Sequence, residues 1–220
     1  MILNETQDAI REMTRQFAED VLWPNADARD KSCEFPRAEL SQMGELGLMG
    51  MLVPEEFGGS DTGAVAYALA LEEIAAGDGP VSTILSVHSS VGCVPIVRFG
   101  NDAQKQKYLP KLATGEWIGC FGLTEPDAGS DPGGMVTRAR SVDGGYSLSG
   151  AKMWISNAPI ADVFVVWAKS DAHGGKIRGF VLDKGMKGLS APKVGGKLSL
   201  RASVTGEIVM DDVVVGEDAL

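Results

Sequence analysis

Histidine and cysteine are both scarce: two histidines, His88 and His173, and three cysteines, Cys33, Cys93 and Cys120, with no CxxC spacing. That supply supports neither a Cys/His zinc site nor a closed disulfide framework, so no metal is expected and a reducing, cytoplasmic setting is. Basic residues are in deficit, 20 against 30 acidic, for a formal net charge of −10. Such a field repels a phosphate backbone, which excludes nucleic acid as a partner. Long apolar runs are missing as well. The charge-free run over residues 80–97 contains Ser82, Thr83, Ser86, His88, Ser89, Ser90, Gly92 and Pro95. It is too polar for a lipid span, so no membrane insertion is expected. The opening MILNETQDAIRE has neither the basic nor the apolar region of a signal peptide. Neither GxGxxG nor a P-loop occurs, so a Rossmann nicotinamide site is not supported.

What is present is 220 residues with 44% apolar content, enough to bury one or two ordinary cores. Glycine divides the chain: 11 of 28 lie in residues 1–115 and 17 in the slightly shorter remainder. Because glycine serves tight turns, the split marks a change of architecture. The expected organisation is α+β: an all-helical domain over residues 1–115, then a β domain over 116–220.

The first part has helical periodicity. Ile10, Met13, Phe17 and Val21 fall on one face after an Asn4 cap with Gln7 three residues on, and Trp23-Pro24 should end this helix. Pro36 opens a second helix carrying Leu40, Met43 and Leu46 as far as Gly47. A third covers residues 63–76, and the charge-free run forms a fourth, whose lack of charge on any face suits the interior of a bundle. The fifth starts at Asn101 with Gln104 in the reciprocal capping position and buries Tyr108, Leu109 and Leu112. After Gly115, strand-like runs cover 117–123, 135–141, 146–156, 163–169, 177–182 and 206–215. Asp143-Gly144-Gly145, His173-Gly174-Gly175 and Gly195-Gly196 separate some of them. This pattern predicts an antiparallel β-barrel or sandwich.

Two segments carry chemistry. Residues 120–131, CFGLTEPDAGSD, are an apolar strand opening into a loop of small and hydroxylated residues, which can present backbone N–H groups to an anionic or carbonyl-rich ligand. The same loop can equally be a turn whose Asp127 and Asp131 satisfy local donors. Residues 150–158, GAKMWISNA, put Trp154 and Ser156 on one side of a strand, an indole beside a hydroxyl, though a tryptophan there can also be core. Residues 169–201 hold eight bases and two acids, readable as a solvated face or as an attraction for polyphosphate.

Together the two segments resemble the TEPxxGSD loop and the KxWI(T/S)N strand of the acyl-CoA dehydrogenases. The resemblance extends to PEEFGG, QKQKYLPKLATGE and KGMKGLSAP, so it covers the whole chain. It implies the helical and middle β domains of a flavoprotein, with a C-terminal four-helix domain expected to follow Leu220, and FAD and acyl-CoA held between domains. Matched position by position, it puts Phe121, Leu123 and Thr124 along the flavin, Gly129 and Ser130 near the pyrophosphate and pantetheine, and Trp154, Ile155 and Ser156 at the ring. The basic stretch is compatible with coenzyme A phosphates.

Detail is most similar to the glutaryl-CoA dehydrogenase-like branch, in which an arginine pairs with the distal carboxylate of the substrate. The aligned position is Ser82, followed by Thr83. A serine supplies no positive charge, and a buried unpaired carboxylate costs roughly 3 kcal/mol or more. A short or branched acyl chain along Ser82 and Thr83 is therefore expected in place of glutaryl-CoA. The implied reaction is α,β-dehydrogenation to a 2,3-enoyl-CoA, with electrons passed to an electron-transfer flavoprotein by a homo-oligomer. The catalytic base is expected beyond Leu220. Glu125 has a structural role in the motif, so these 220 residues alone should not turn over. Two rivals stay open: a noncatalytic flavin or acyl-CoA-binding module, and a flavin monooxygenase or oxidase of the same fold.

Overall fold

Asn4 starts the first helix by a reciprocal cap. Its side chain accepts from the Gln7 N–H at 2.8 Å, and the Gln7 side chain accepts from the Asn4 N–H at 3.1 Å. In the computed structural model, which describes residues 2–220, helix α1 follows as Glu5–Phe17. Pro24 does not end the helical path. The chain continues through a π turn, Ala18–Leu22, and a 3-10 turn, Trp23–Asn25, into α2, Ala26–Ser32. Proline is tolerated there because it stands in the first turn of a new segment, where its missing N–H has no partner to lose. Helix α3 is Arg37–Glu45 and α4 is Gly63–Gly77; α5, Gly79–Ser86, runs through a π turn, Val87–Cys93, into α6, Val94–Phe99. Helix α7, Asp102–Ala113, carries the Asn101/Gln104 capping box.

These helices form one unit, extending to Trp117 and joined by Gly196–Ser203. The stretch Gly79–Phe99 is long and apolar enough to cross a membrane by length and composition, but Val81, Ile84, Leu85, His88, Ser89 and Cys93 are buried against protein, as in a core helix. Helices α3 and α7 approach closely at Gly44, where a Cβ would come within 2.0 Å of the Thr114 carbonyl oxygen. Arg29 is buried and spans the unit: it pairs with Asp78 at 2.8 Å and Glu39 at 2.8 Å, and it donates to the Leu22 carbonyl. Asp78 also caps α5 by accepting from the Val81 N–H. The Gly196–Ser203 segment is tied down by Asp30, which accepts from the Arg201 N–H at 2.7 Å and from its guanidinium.

The second unit comprises Ile118–Gly195 and Val204–Leu220. Its strands are β1 Gly119–Gly122, β2 Arg138–Val142, β3 Gly145–Ser156, β4 Val163–Ser170, β5 Lys176–Asp183, β6 Leu189–Ser190 and β7 Thr205–Gly216. The sheet is mixed where an antiparallel one was expected: β4 pairs antiparallel with β5 on one edge, and in parallel with β1 and then β2 on the other. The β2–β3 hairpin lies between β1 and β4 in the chain, so β4 returns in the direction of β1. From β2 the order continues antiparallel through β3, β7 and β6. The sheet curls around a single core containing Cys120, Leu148, Ile155, Phe164, Phe180, Ile208 and Val213.

Candidate functional site

The loop after β1 is organised by a buried ion pair. Glu125 and Ala128 exchange backbone hydrogen bonds at 3.1 and 3.2 Å, closing a tight turn. The Glu125 side chain turns inward and accepts from the Val136 N–H at 2.6 Å, the Thr137 N–H at 3.1 Å and Lys152 Nζ at 2.8 Å. Lys152 is fully buried and donates in addition to the Leu123 carbonyl at 3.1 Å. Burial by itself would raise the Glu125 carboxyl, but Lys152 and the N–H groups of residues 136 and 137 outweigh it and hold it below the usual carboxylate range. Burial lowers the Lys152 ammonium, and Glu125 offsets only part of that.

Lys152 reaches this position because β3 carries a bulge. Lys152 pairs with Ile208 and Ile155 with Gly206, so β3 advances three residues while β7 advances two. Strict alternation would put Lys152 on the face of Trp154 and Ser156. The extra residue sends Lys152 and Ile155 inward and leaves Trp154 and Ser156 outside the core. Trp154 takes up the left-handed conformation, φ 62°, and is 61% exposed. A flat, apolar ring held in a strained conformation and turned outward has no core role to explain it.

The two motif segments are joined directly: the Met153 N–H donates to the Thr124 carbonyl at 2.9 Å. The Thr124 N–H finds no partner within the chain among the described residues. Gly129 and Ser130 are exposed, and a Cβ on Gly129 would meet nothing within 4 Å, so the backbone there is open to close approach. Phe121 alternates away from the core with Val165 and Trp167, and its ring meets the Trp167 indole edge-on at 6.0 Å. Trp167 Nε1 is buried with no acceptor among the described residues, a donor that no sequence pattern singles out. Leu123 is half-buried. The Ile155 side chain belongs to the core, so only its backbone is available to a ligand. Asn157, left-handed at φ 68°, donates to the Gly119 carbonyl and ends β3.

Ser82 and Thr83 belong to the helical unit. Both hydroxyls donate to the Gly79 carbonyl, at 2.7 and 3.2 Å. They line an open groove of about 530 Å³ with Ala68, Leu71, Ala75 and Val87, and Glu72 is the charged residue in its wall. Within the basic stretch, Lys184 pairs with Asp162 and Arg201 with Asp30. The local fold thus already uses part of that charge.

Residues 4–116 match the family model for the acyl-CoA dehydrogenase N-terminal domain, and residues 120–213 match that for its middle domain. The mitochondrial isovaleryl-CoA dehydrogenase of Arabidopsis thaliana is 40% identical over 222 residues, covering 99% of this chain and 54% of that protein. A glutaryl-CoA dehydrogenase from Mycobacterium smegmatis, solved in complex with FADH2, superposes with a TM-score of 0.94 at 42% identity, covering 99% of this chain and 55% of that one. A structure described as the electron transferring flavoprotein of Acidaminococcus fermentans superposes with a TM-score of 0.95 at 38% identity, covering 100% of this chain and 58% of that one. The chain therefore spans a little over half the length of these relatives.

Proposed function

Because the chain belongs to the acyl-CoA dehydrogenase family, we propose that it binds FAD and an acyl-CoA and serves the conversion of a short or branched acyl-CoA to its 2,3-enoyl-CoA. The observation that carries this reading is the Met153–Thr124 hydrogen bond, which joins the TEPDAGSD loop to the KMWISN strand. The residues present fit the cofactor: an outward indole at Trp154, an amide at Thr124 with no partner among the described residues, and open backbone at Gly129. FAD, when bound, supplies the redox chemistry of the reaction. Phe121, Leu123, Thr124, Trp154 and Ser156, with the Ile155 backbone, orient it; Gly129 and Ser130 leave room for its phosphates and for pantetheine. Donors fixed in advance stabilise negative charge entering the bound ring without reorganising.

The acyl chain is assigned to the groove at Ser82 and Thr83. Both hydroxyls already donate to Gly79, and Glu72 lies in the wall, so a distal carboxylate would meet a like charge rather than a cation. This favours a butyryl or isovaleryl chain over glutaryl. Removal of the α proton requires a free carboxylate positioned at the substrate. Glu125 is not one, since both of its oxygens are engaged by Lys152 and two backbone N–H groups. The 220 residues by themselves are therefore assigned ligand binding without turnover. Electron-transfer flavoprotein is the proposed acceptor, on the ground of membership in the acyl-CoA dehydrogenase family. Free thiols at Cys33, Cys93 and Cys120 support the cytoplasm as the setting, and homo-oligomerisation is part of the same proposal.

Titration of the chain with FAD, followed by anaerobic addition of butyryl-, isovaleryl- or glutaryl-CoA, tests the reading. FAD binding, with a spectral change on adding the first two thioesters and none with the third, is the expected result. Absence of FAD binding overturns the assignment. Bleaching by the chain alone refutes the absence of a base.

A further inference from the structure

Resting on the FAD reading above, we infer that Lys152 is a positioning residue that tunes how strongly the site favours reduced over oxidised FAD, acting through the Leu123–Thr124 peptide. Lys152 is fully buried and does not point outward with Trp154. Its ammonium donates to the Leu123 carbonyl oxygen at 3.1 Å. That carbonyl and the Thr124 N–H belong to the same peptide group. An ammonium hydrogen-bonded to the oxygen draws electron density out of the amide, which makes the N–H at the other end a stronger donor. The effect matters because the Thr124 N–H has no partner among the described residues, while its neighbours are fixed: the Thr124 carbonyl holds the Met153 N–H, and the next turn closes between Glu125 and Ala128.

Glu125 completes the device. It pairs the buried ammonium at 2.8 Å while leaving it bonded to the Leu123 carbonyl, and its own charge is spread over two backbone N–H groups as well as Lys152. Removal of Lys152 alone would leave that carboxylate buried without its cation. The informative variant is therefore the double change Lys152→Met with Glu125→Gln, which removes both charges while keeping similar volume. A purely structural role would alter affinity for oxidised and reduced FAD alike. A polarising role alters their ratio.

The test measures the dissociation constant for oxidised FAD and the midpoint potential of bound FAD in the wild-type chain and the double variant. Expected are oxidised-FAD affinity within about threefold of wild type and a roughly tenfold loss of preference for the reduced form, a fall of about 30 mV for a two-electron couple. An unchanged potential in a variant that still binds FAD overturns the inference while leaving the FAD reading intact. Failure of the wild-type chain to bind FAD overturns both. If the double variant does not fold, the wild type decides: the Thr124 amide proton resonance of the FAD-loaded chain should move downfield on reduction, and no movement overturns the inference.

Discussion

Acidification from pH 7 to pH 4 is expected to remove about 3 kcal/mol of folding stability through His88 alone. His88 lies in the π turn Val87–Cys93, fully buried, with Nε2 3.0 Å from the Leu112 carbonyl and 3.6 Å from Cys93 Sγ. Burial pushes its pKa down to about 4, outweighing the Leu112 carbonyl, which favours the charged form. In the unfolded chain the imidazole takes its proton near pH 6.5; in the folded chain it does so only near 4. Between those values the unfolded state binds more protons, so stability is complete above about pH 6.5, declines as pH falls, and loses nothing further from this group below about 4. A difference of roughly 2.5 units at 1.36 kcal/mol each gives the stated figure. Urea unfolding at half-unit steps from pH 7.5 to 4, in the wild-type chain and in His88→Gln, isolates the effect. Acidic groups titrate alike in both, and only the wild type should show the additional slope. Equal slopes would refute the reasoning, whatever the absolute stability of the variant.

Other outcomes follow from the site. Trp154→Gly should weaken FAD binding by about 1 to 2 kcal/mol through loss of the ring, while leaving urea stability unchanged or slightly raised, because glycine accepts φ 62° without strain. Lys152→Ala should destabilise the fold by about 3 to 5 kcal/mol in the same assay, since it leaves Glu125 buried without its cation. Ser82→Arg should raise the affinity for glutaryl-CoA relative to butyryl-CoA by about tenfold, read by competition, through a charge-assisted contact in the groove. Gly44→Ala should cost about 1 to 3 kcal/mol, because its Cβ would collide with the Thr114 carbonyl.

Local signals carried well from sequence to structure. Both reciprocal caps, at Asn4 and Asn101, form as their spacing implies, and the glycine-bounded runs become strands close to their expected limits. The misreadings have physical causes. Pro24 reads as a stop, yet it falls in the first turn of a new helical segment; the periodicity puts Leu46 on the buried side of its helix, yet it is 41% exposed past the helix end. Inside the site, alternation cannot foresee that Lys152 turns into the core while Trp154 stays outside it, because a bulge shifts the phase by one residue and a two-residue period cannot register it. Arg29 and Asp78 stand 49 residues apart, and no local pattern announces their pairing. Trp167 looks in sequence like any other strand residue, yet its indole nitrogen is buried with no acceptor among the described residues.

The short excursion of Gly196–Ser203 into the helical unit has a practical corollary for anyone dissecting the molecule. The polypeptide passes from one unit to the other three times, after Trp117, after Gly195 and again after Ser203, so no single cut yields two self-sufficient halves. A helical piece ending at Trp117 would lose Arg201 from Asp30, and Leu200 from beside Gly79. The complementary piece would carry that strap with nothing to grip. Splitting the molecule for study means transplanting eight residues, by a tether or a circular permutation, rather than choosing a better boundary.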